Sequence, residues 1–303
     1  MKKCFVGLLL GLMVIGVVAG GCGERTETTR YYYSPSWTKD AEIILIGGTQ
    51  SVDKDILGGQ LGSSYTEYVF TIYPSGTGES AALFDVTDAP PYAMSCSPNR
   101  DYVAYLGELR SGEYGKIFIR SISTEAFTGM KELELTFYPK IKSFDWSDDG
   151  NQIVYCTTNE VKVRDWNDFN GATEQVVTAE ANLEFVSWMY GNRIAFVYTS
   201  GGNKRLSLIN PASKARTDLS AAVALDAPQI SPSDTNTVYG IAGAKYVSVN
   251  TNTEVSLEVA SSFTGLLPRI SPDGDMITYS KSGEDSGVYI MYTASGTEET
   301  VIQ

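Results

Sequence analysis

Two acidic pairs, Asp148-Asp149 and Asp273-Gly274-Asp275, have the type and spacing to move a proton or hold a cation. Each lies on a short glycine-containing turn between apolar runs. There an aspartate bonds its own backbone and stabilises the turn, and that structural use is the one expected. Asp273-Gly-Asp275 looks like the opening of a calcium loop whose twelfth position would be Glu284. The strand-like run Met276–Ser280 lies between them and forbids a compact loop. Histidine is absent from all 303 residues, which excludes Ser-His-Asp and Cys-His arrangements and histidine-ligated metals. Cys96 and Cys156 lie in apolar runs and are expected as buried thiols, with a disulfide between them as the alternative. No catalytic residue, metal or cofactor is expected. A net charge of −13 repels phosphate backbones, so nucleic acid is not an expected partner.

The elements that must position any site begin after residue 21. Lys2 and Lys3, the apolar run Phe5–Val18 and the small residues Ala19-Gly20-Gly21 have the layout of an export signal. With Cys22 next, the stretch resembles the bacterial lipoprotein cleavage box, although Ala19 stands where that box usually has leucine. The resemblance implies that Cys22 becomes a lipid-modified N-terminus and that the chain is exported and membrane-anchored, in the periplasm or at the cell surface. Loss of Lys2 and Lys3 would take the net charge from −13 to −15. Gly23, where some enteric bacteria use aspartate for inner-membrane retention, favours the outer membrane. Residues 22–36 are polar, carry Tyr31-Tyr32-Tyr33 and are expected to be a tether; the folded body is expected over 37–303.

Within that body one unit recurs. Its clearest copy is Arg269–Ser280, RISPDGDMITYS: a strand, a Pro-Asp-Gly turn and a second strand. Five degraded copies precede it, with serine-equivalent positions at Thr38, Ser97, Ser147, Met189 and Ser231, then Ser271. The intervals are 59, 50, 42, 42 and 40 residues. A period near 40 built of short strands, without an apolar 3.6-residue rhythm, is the pattern of propeller blades. Each interval holds four strand-like runs, such as Lys142–Trp146, Gln152–Cys156, Val161–Trp166 and Glu174–Val177. The expected fold is therefore all-β, a six-bladed β-propeller of four-stranded antiparallel blades. Trp37, Trp146 and Trp188 share one place in the unit and are expected to pack blade against blade. Ring closure is expected either by simple packing or by a strand from Arg30–Tyr33.

The Ser-Pro-Asp-Gly turn before an aliphatic-aromatic strand resembles the WD40-like repeat of TolB-type β-propellers, the periplasmic component of the Tol–Pal system. The same repeat occurs in prolyl oligopeptidase propellers. The resemblance covers roughly Trp37–Gln303; nothing here encodes the extra N-terminal α/β domain of the Tol component, and that component is soluble. It implies a non-enzymatic, protein-binding scaffold of the cell envelope whose partner is an envelope protein or peptide. The alternative is a carbohydrate-binding or carbohydrate-processing propeller, although polysaccharide lyases with similar repeats use histidines that this chain lacks. The longest insertion, Gly47–Ser64, lies between the second and third strands of blade one, on the face opposite the Pro-Asp-Gly turns. Loops on a rigid scaffold commonly carry binding. That face, with Asp53, Lys54, Asp55, Arg110, Lys204 and Arg205, is the expected partner-binding surface.

Overall fold

The computed structural model describes residues 25–303 except 39, 56–57, 81, 87–90, 100, 109–113, 123–130, 134–140, 169–170, 190, 221–223, 231–233 and 235. Alternating β-branched and aromatic runs punctuated by turns produce six sheets, each of four consecutive antiparallel strands. Blade one is β1 (Arg25–Trp37), β2 (Ile43–Lys54), β3 (Gln60–Ile72) and β4 (Phe84–Asp85). Blade two is β5 (Pro91–Cys96), β6 (Tyr102–Glu108), β7 (Tyr114–Ser121) and β8 (Lys131–Leu133). Blade three is β9 (Ser143–Trp146), β10 (Gln152–Cys156), β11 (Glu160–Asp165) and β12 (Gln175–Ala179). Blade four is β13 (Leu183–Met189), β14 (Arg193–Ser200), β15 (Asn203–Ile209) and β16 (Arg216–Asp218). Blade five is β17 (Asp226–Ile230), β18 (Thr237–Ala242), β19 (Lys245–Asn250) and β20 (Ser256–Ala260). Blade six is β21 (Leu266–Ile270), β22 (Met276–Lys281), β23 (Gly287–Tyr292) and β24 (Glu298–Ile302).

Each recurrent turn joins the first and second strands of its blade, as the repeat spacing requires. At Ser271 the hydroxyl donates to Asp273 Oδ1 at 2.5 Å and accepts from the Met276 amide at 2.9 Å. The Asp275 amide donates to the same Asp273 oxygen at 3.1 Å, and Gly274 takes the left-handed backbone at φ +84. Ser147 and Asp149 repeat the arrangement at 2.6 Å, as do Ser97 and Asn99 at 2.6 Å. The conspicuous aspartates Asp149 and Asp273 therefore serve the turns.

Middle strands are buried on both faces, because alternate residues enter two different cores. In β2, Ile44 and Ile46 pack into blade two while Ile43 and Leu45 pack into blade six. Six such clusters fill the six blade-to-blade interfaces. Simple packing closes the ring: blades one and six each contain only their own consecutive strands. Their interface buries Trp37, Phe70, Ile72, Val288, Ile290 and Val301. The tryptophans lie where the repeat puts them. The Trp37 indole N–H donates to the Arg269 carbonyl of blade six at 2.9 Å, and that of Trp146 to the Ser95 carbonyl of blade two at 3.1 Å. Cys96 and Cys156 are free, buried thiols in different clusters.

Blade one departs from expectation in two places. The stretch expected as a tether over 22–36 is strand from Arg25 onward, the inner strand of the blade. The insertion Gly47–Ser64 is a continuation of the ladder between β2 and β3, whose pairs run from Ile43↔Ile72 to Lys54↔Gln60. β1 follows β2 to the same tip, pairing Arg25 with Lys54. Together the three strands form a ribbon that leaves the body at Gly47 and extends roughly 25 Å over eight residues of β2. Aromatic rings need the two glycines at its base. An added Cβ would lie 2.3 Å from the Phe70 ring at Gly47 and 2.5 Å from the Tyr31 ring at Gly48.

Candidate functional site

The inner strands β1, β5, β9, β13, β17 and β21 surround the central channel. One residue of each, two positions before the serine-equivalent of the turn, lines it: Ser36, Ser95, Asp145, Ser187, Gln229 and Arg269. They form a polar ring around a cavity of about 400 Å³ that opens on the turn face, where Pro98, Asp148 and Pro272 complete its rim. Directly after four of the ring residues come Trp37, Cys96, Trp146 and Trp188, which are buried between blades and also border the cavity.

Charge in the ring is divided between blades three and six, which face each other across a six-membered ring. On blade three, Asp145 Oδ1 accepts from Ser95 Oγ at 3.3 Å and the Trp146 amide at 3.0 Å. Its Oδ2 accepts from Ser187 Oγ at 2.8 Å and the Trp188 amide at 3.1 Å. Four donors thus hold one carboxylate, and they come from blades two, three and four. On blade six, Arg269 is only 8% exposed. Its Nε is buried without a hydrogen-bond partner, and its guanidinium forms no ion pair with a described residue. Burial pulls this guanidinium below its ordinary value, and the Asp145 charge opposes that shift. At the rim, burial raises the Asp148 carboxyl to about 6; amides of Gly191 and Asn192 from blade four pull the other way. Blade three has Asp148 where blades two, five and six have proline.

Of the residues expected to bind a partner, the described ones lie on the opposite face and are not brought together. Asp53, Lys54 and Asp55 are at the ribbon tip: Asp53 Oδ1 accepts from Thr26 Oγ1 at 2.6 Å, Lys54 pairs with Glu27, and Asp55 Oδ1 caps the Gly59 amide at 2.7 Å. Lys204 and Arg205 belong to the hairpin of blade four, across the ring from blade one. Lys204 pairs with Glu184 at 3.0 Å and with Asp226 of blade five. Arg110 and Cys22 lie outside the described residues. The polar ring was missed. Its signal is visible once the six copies are aligned: a polar residue two places before each turn, with one acid and one base among them. Among the described residues, no three of His, Cys, Asp and Glu are grouped to hold a metal ion.

No protein-family model matches the chain, and neither does any curated protein. Solved structures do. TolB from Acinetobacter baumannii superposes with a TM-score of 0.63 at 12% identity, over 92% of this chain and 80% of that one. An oligogalacturonate lyase in complex with manganese gives 0.55 at 12% identity, over 96% and 84%. A puromycin hydrolase gives 0.56 at 11% identity, over 90% of this chain but 53% of that one. These likenesses show the fold, a β-propeller shared with TolB and with enzymes of different chemistry.

Proposed function

We propose that the chain is a membrane-anchored, extracytoplasmic β-propeller that acts as a non-enzymatic protein-binding scaffold in the bacterial cell envelope. The ribbon of blade one carries this reading. β1 and β3 run thirteen residues each, far past the body, and end in ladder edges without a partner strand among the described residues, over 25–31 and 60–66. Exposed Leu61, Tyr65 and Tyr68 line β3. A free strand edge with aromatic neighbours suits an extended segment of an envelope protein, which would add as a fourth strand. Arg25, at the tip, is three residues from Cys22, so a lipid there would hold the tip within about 10 Å of the membrane surface. The ribbon would then keep the body roughly 25 Å away, with the channel mouth turned outward.

The carbohydrate alternative has less support. Trp37, Trp146 and Trp188 are buried between blades and offer no stacking platform, and histidine is absent. To test the scaffold reading, a photo-crosslinking residue is placed at Tyr65, and at Leu257 of blade five as a control. The expected result is one envelope protein crosslinked from Tyr65 only, and lost when Thr49–Ser63 is deleted while the melting temperature stays near wild type. Capture that survives the deletion would refute the ribbon as the docking surface. Cys22→Ser is expected to release the protein from the membrane fraction.

A further inference from the structure

We propose that the throat of the channel binds a carboxylate-bearing ligand through Arg269. This rests on the channel alone and is independent of the ribbon. A guanidinium stays protonated in proteins, and burying it without a counter-charge is strongly unfavourable. Arg164 of blade three, 1% exposed and likewise with a buried, unpaired Nε, is answered within its own blade by an ion pair with Glu174 at 3.6 Å and by the Asp168 carbonyl. Arg269 has no such answer. Its Nε is buried and unpaired, and it lines a cavity large enough for a small-molecule site. Asp145 faces it across the ring without forming an ion pair, and its two oxygens are already held by four donors.

The flanking blades supply further polar groups. Ser36 of blade one accepts from the Cys96 amide at 3.3 Å, which leaves its own proton to donate. Gln229 of blade five spends one amide hydrogen on the Pro228 carbonyl at 3.0 Å and keeps the other. A carboxylate fits this setting better than phosphate does. The guanidinium fork matches its planar oxygens. A single negative charge is also repelled less by Asp145 and Asp148 than a double one would be.

The test is calorimetric titration of the mature chain with propionate, with N-acetyl-trialanine as the free acid, with the C-terminal amide of the same peptide, and with inorganic phosphate. Binding is expected for the two acids, at least tenfold weaker binding for the amide, and weaker binding for phosphate than for propionate. Peptide acid bound at least tenfold more tightly than propionate identifies a peptide terminus as the source; comparable affinities identify a small organic acid. Arg269→Gln is expected to weaken acid binding at least tenfold, and Arg269→Lys by an intermediate factor. A direct reading needs no variant: the Arg269 Nε–H resonance of the wild-type protein is expected to move on titration with propionate. Equal affinity for acid and amide, retention of acid binding within twofold in Arg269→Gln, or an unmoved Nε–H resonance would each overturn the proposal.

Discussion

Replacing Trp37 with phenylalanine isolates the one indole bond that joins the first blade to the last. The bond spans 232 positions of sequence, and the Arg269 carbonyl that accepts it is buried. Losing it leaves that carbonyl buried without a partner, at a cost of about 1–3 kcal/mol. The smaller ring adds about 1–2 kcal/mol for lost contacts and the void left behind. Trp188→Phe is the natural control. Trp188 is similarly buried, at 7% against 6% for Trp37, but its indole makes no hydrogen bond with a described residue. It should therefore lose only the ring term. Urea unfolding followed by circular dichroism, which does not depend on the replaced fluorophore, is expected to show Trp37→Phe costing about 2 kcal/mol more than Trp188→Phe. In melting temperature the gap would be about 4 °C or more. If the two variants lie within about 0.5 kcal/mol of each other, the indole bond is not part of what closes the ring.

Two further outcomes follow from titratable groups whose pKa the fold shifts. Asp148 binds its proton more tightly in the fold than its ordinary value of 3.8 allows, so its favourable contribution is complete below that value and is lost as pH rises through about 6. Asp148→Asn, which keeps an acceptor for the Gly191 and Asn192 amides, is expected to raise the melting temperature at pH 8 and to gain progressively less towards pH 4; a gain that does not change with pH would contradict the assignment. Burial pushes the Cys96 and Cys156 thiols up to about 12, so neither forms appreciable thiolate at neutral pH. Iodoacetamide at pH 8 is expected to leave both unlabelled in the native protein and to label both in urea, as read by mass spectrometry; labelling of the native chain would show that these strands open.

The blades were readable from sequence because each turn carries its own chemistry and each flanking strand its own burial. β9 to β12 fall on the four strand-like runs of their interval, β10 with the same bounds, Gln152–Cys156, and the Ser271 turn uses its serine, aspartate and glycine as turn geometry demands. The ribbon was hidden for a physical reason. Thr26, Thr28 and Thr29 favour strands, but they pair with other strands outside the body and touch no core, so they impose no apolar rhythm. Without that rhythm, a polar strand and a tether look alike. The channel ring was hidden differently. Each member is one unremarkable polar residue at the end of an inner strand, and only the closed ring makes them neighbours. Arg269 illustrates this. It opens the most regular copy of the repeat, where the aspartates of the turn, four and six residues later, draw attention away from it.

The ladder that joins β1 to β2 also decides how the molecule bears load. Its register runs from Arg25↔Lys54 at the tip to Trp37↔Ile43 in the body, interrupted between Tyr33 and Ser36. A pull on the N-terminus directed away from the body acts along β1, so the rungs are strained together in shear and cannot be undone one after another, as they would be in peeling. Tension passed inward reaches Trp37, whose indole grips blade six, and Ile43 and Leu45, which are packed in the same interface. The seam that closes the ring is thus also where a force on the chain's beginning is delivered, and it is met there by a whole interface acting in parallel.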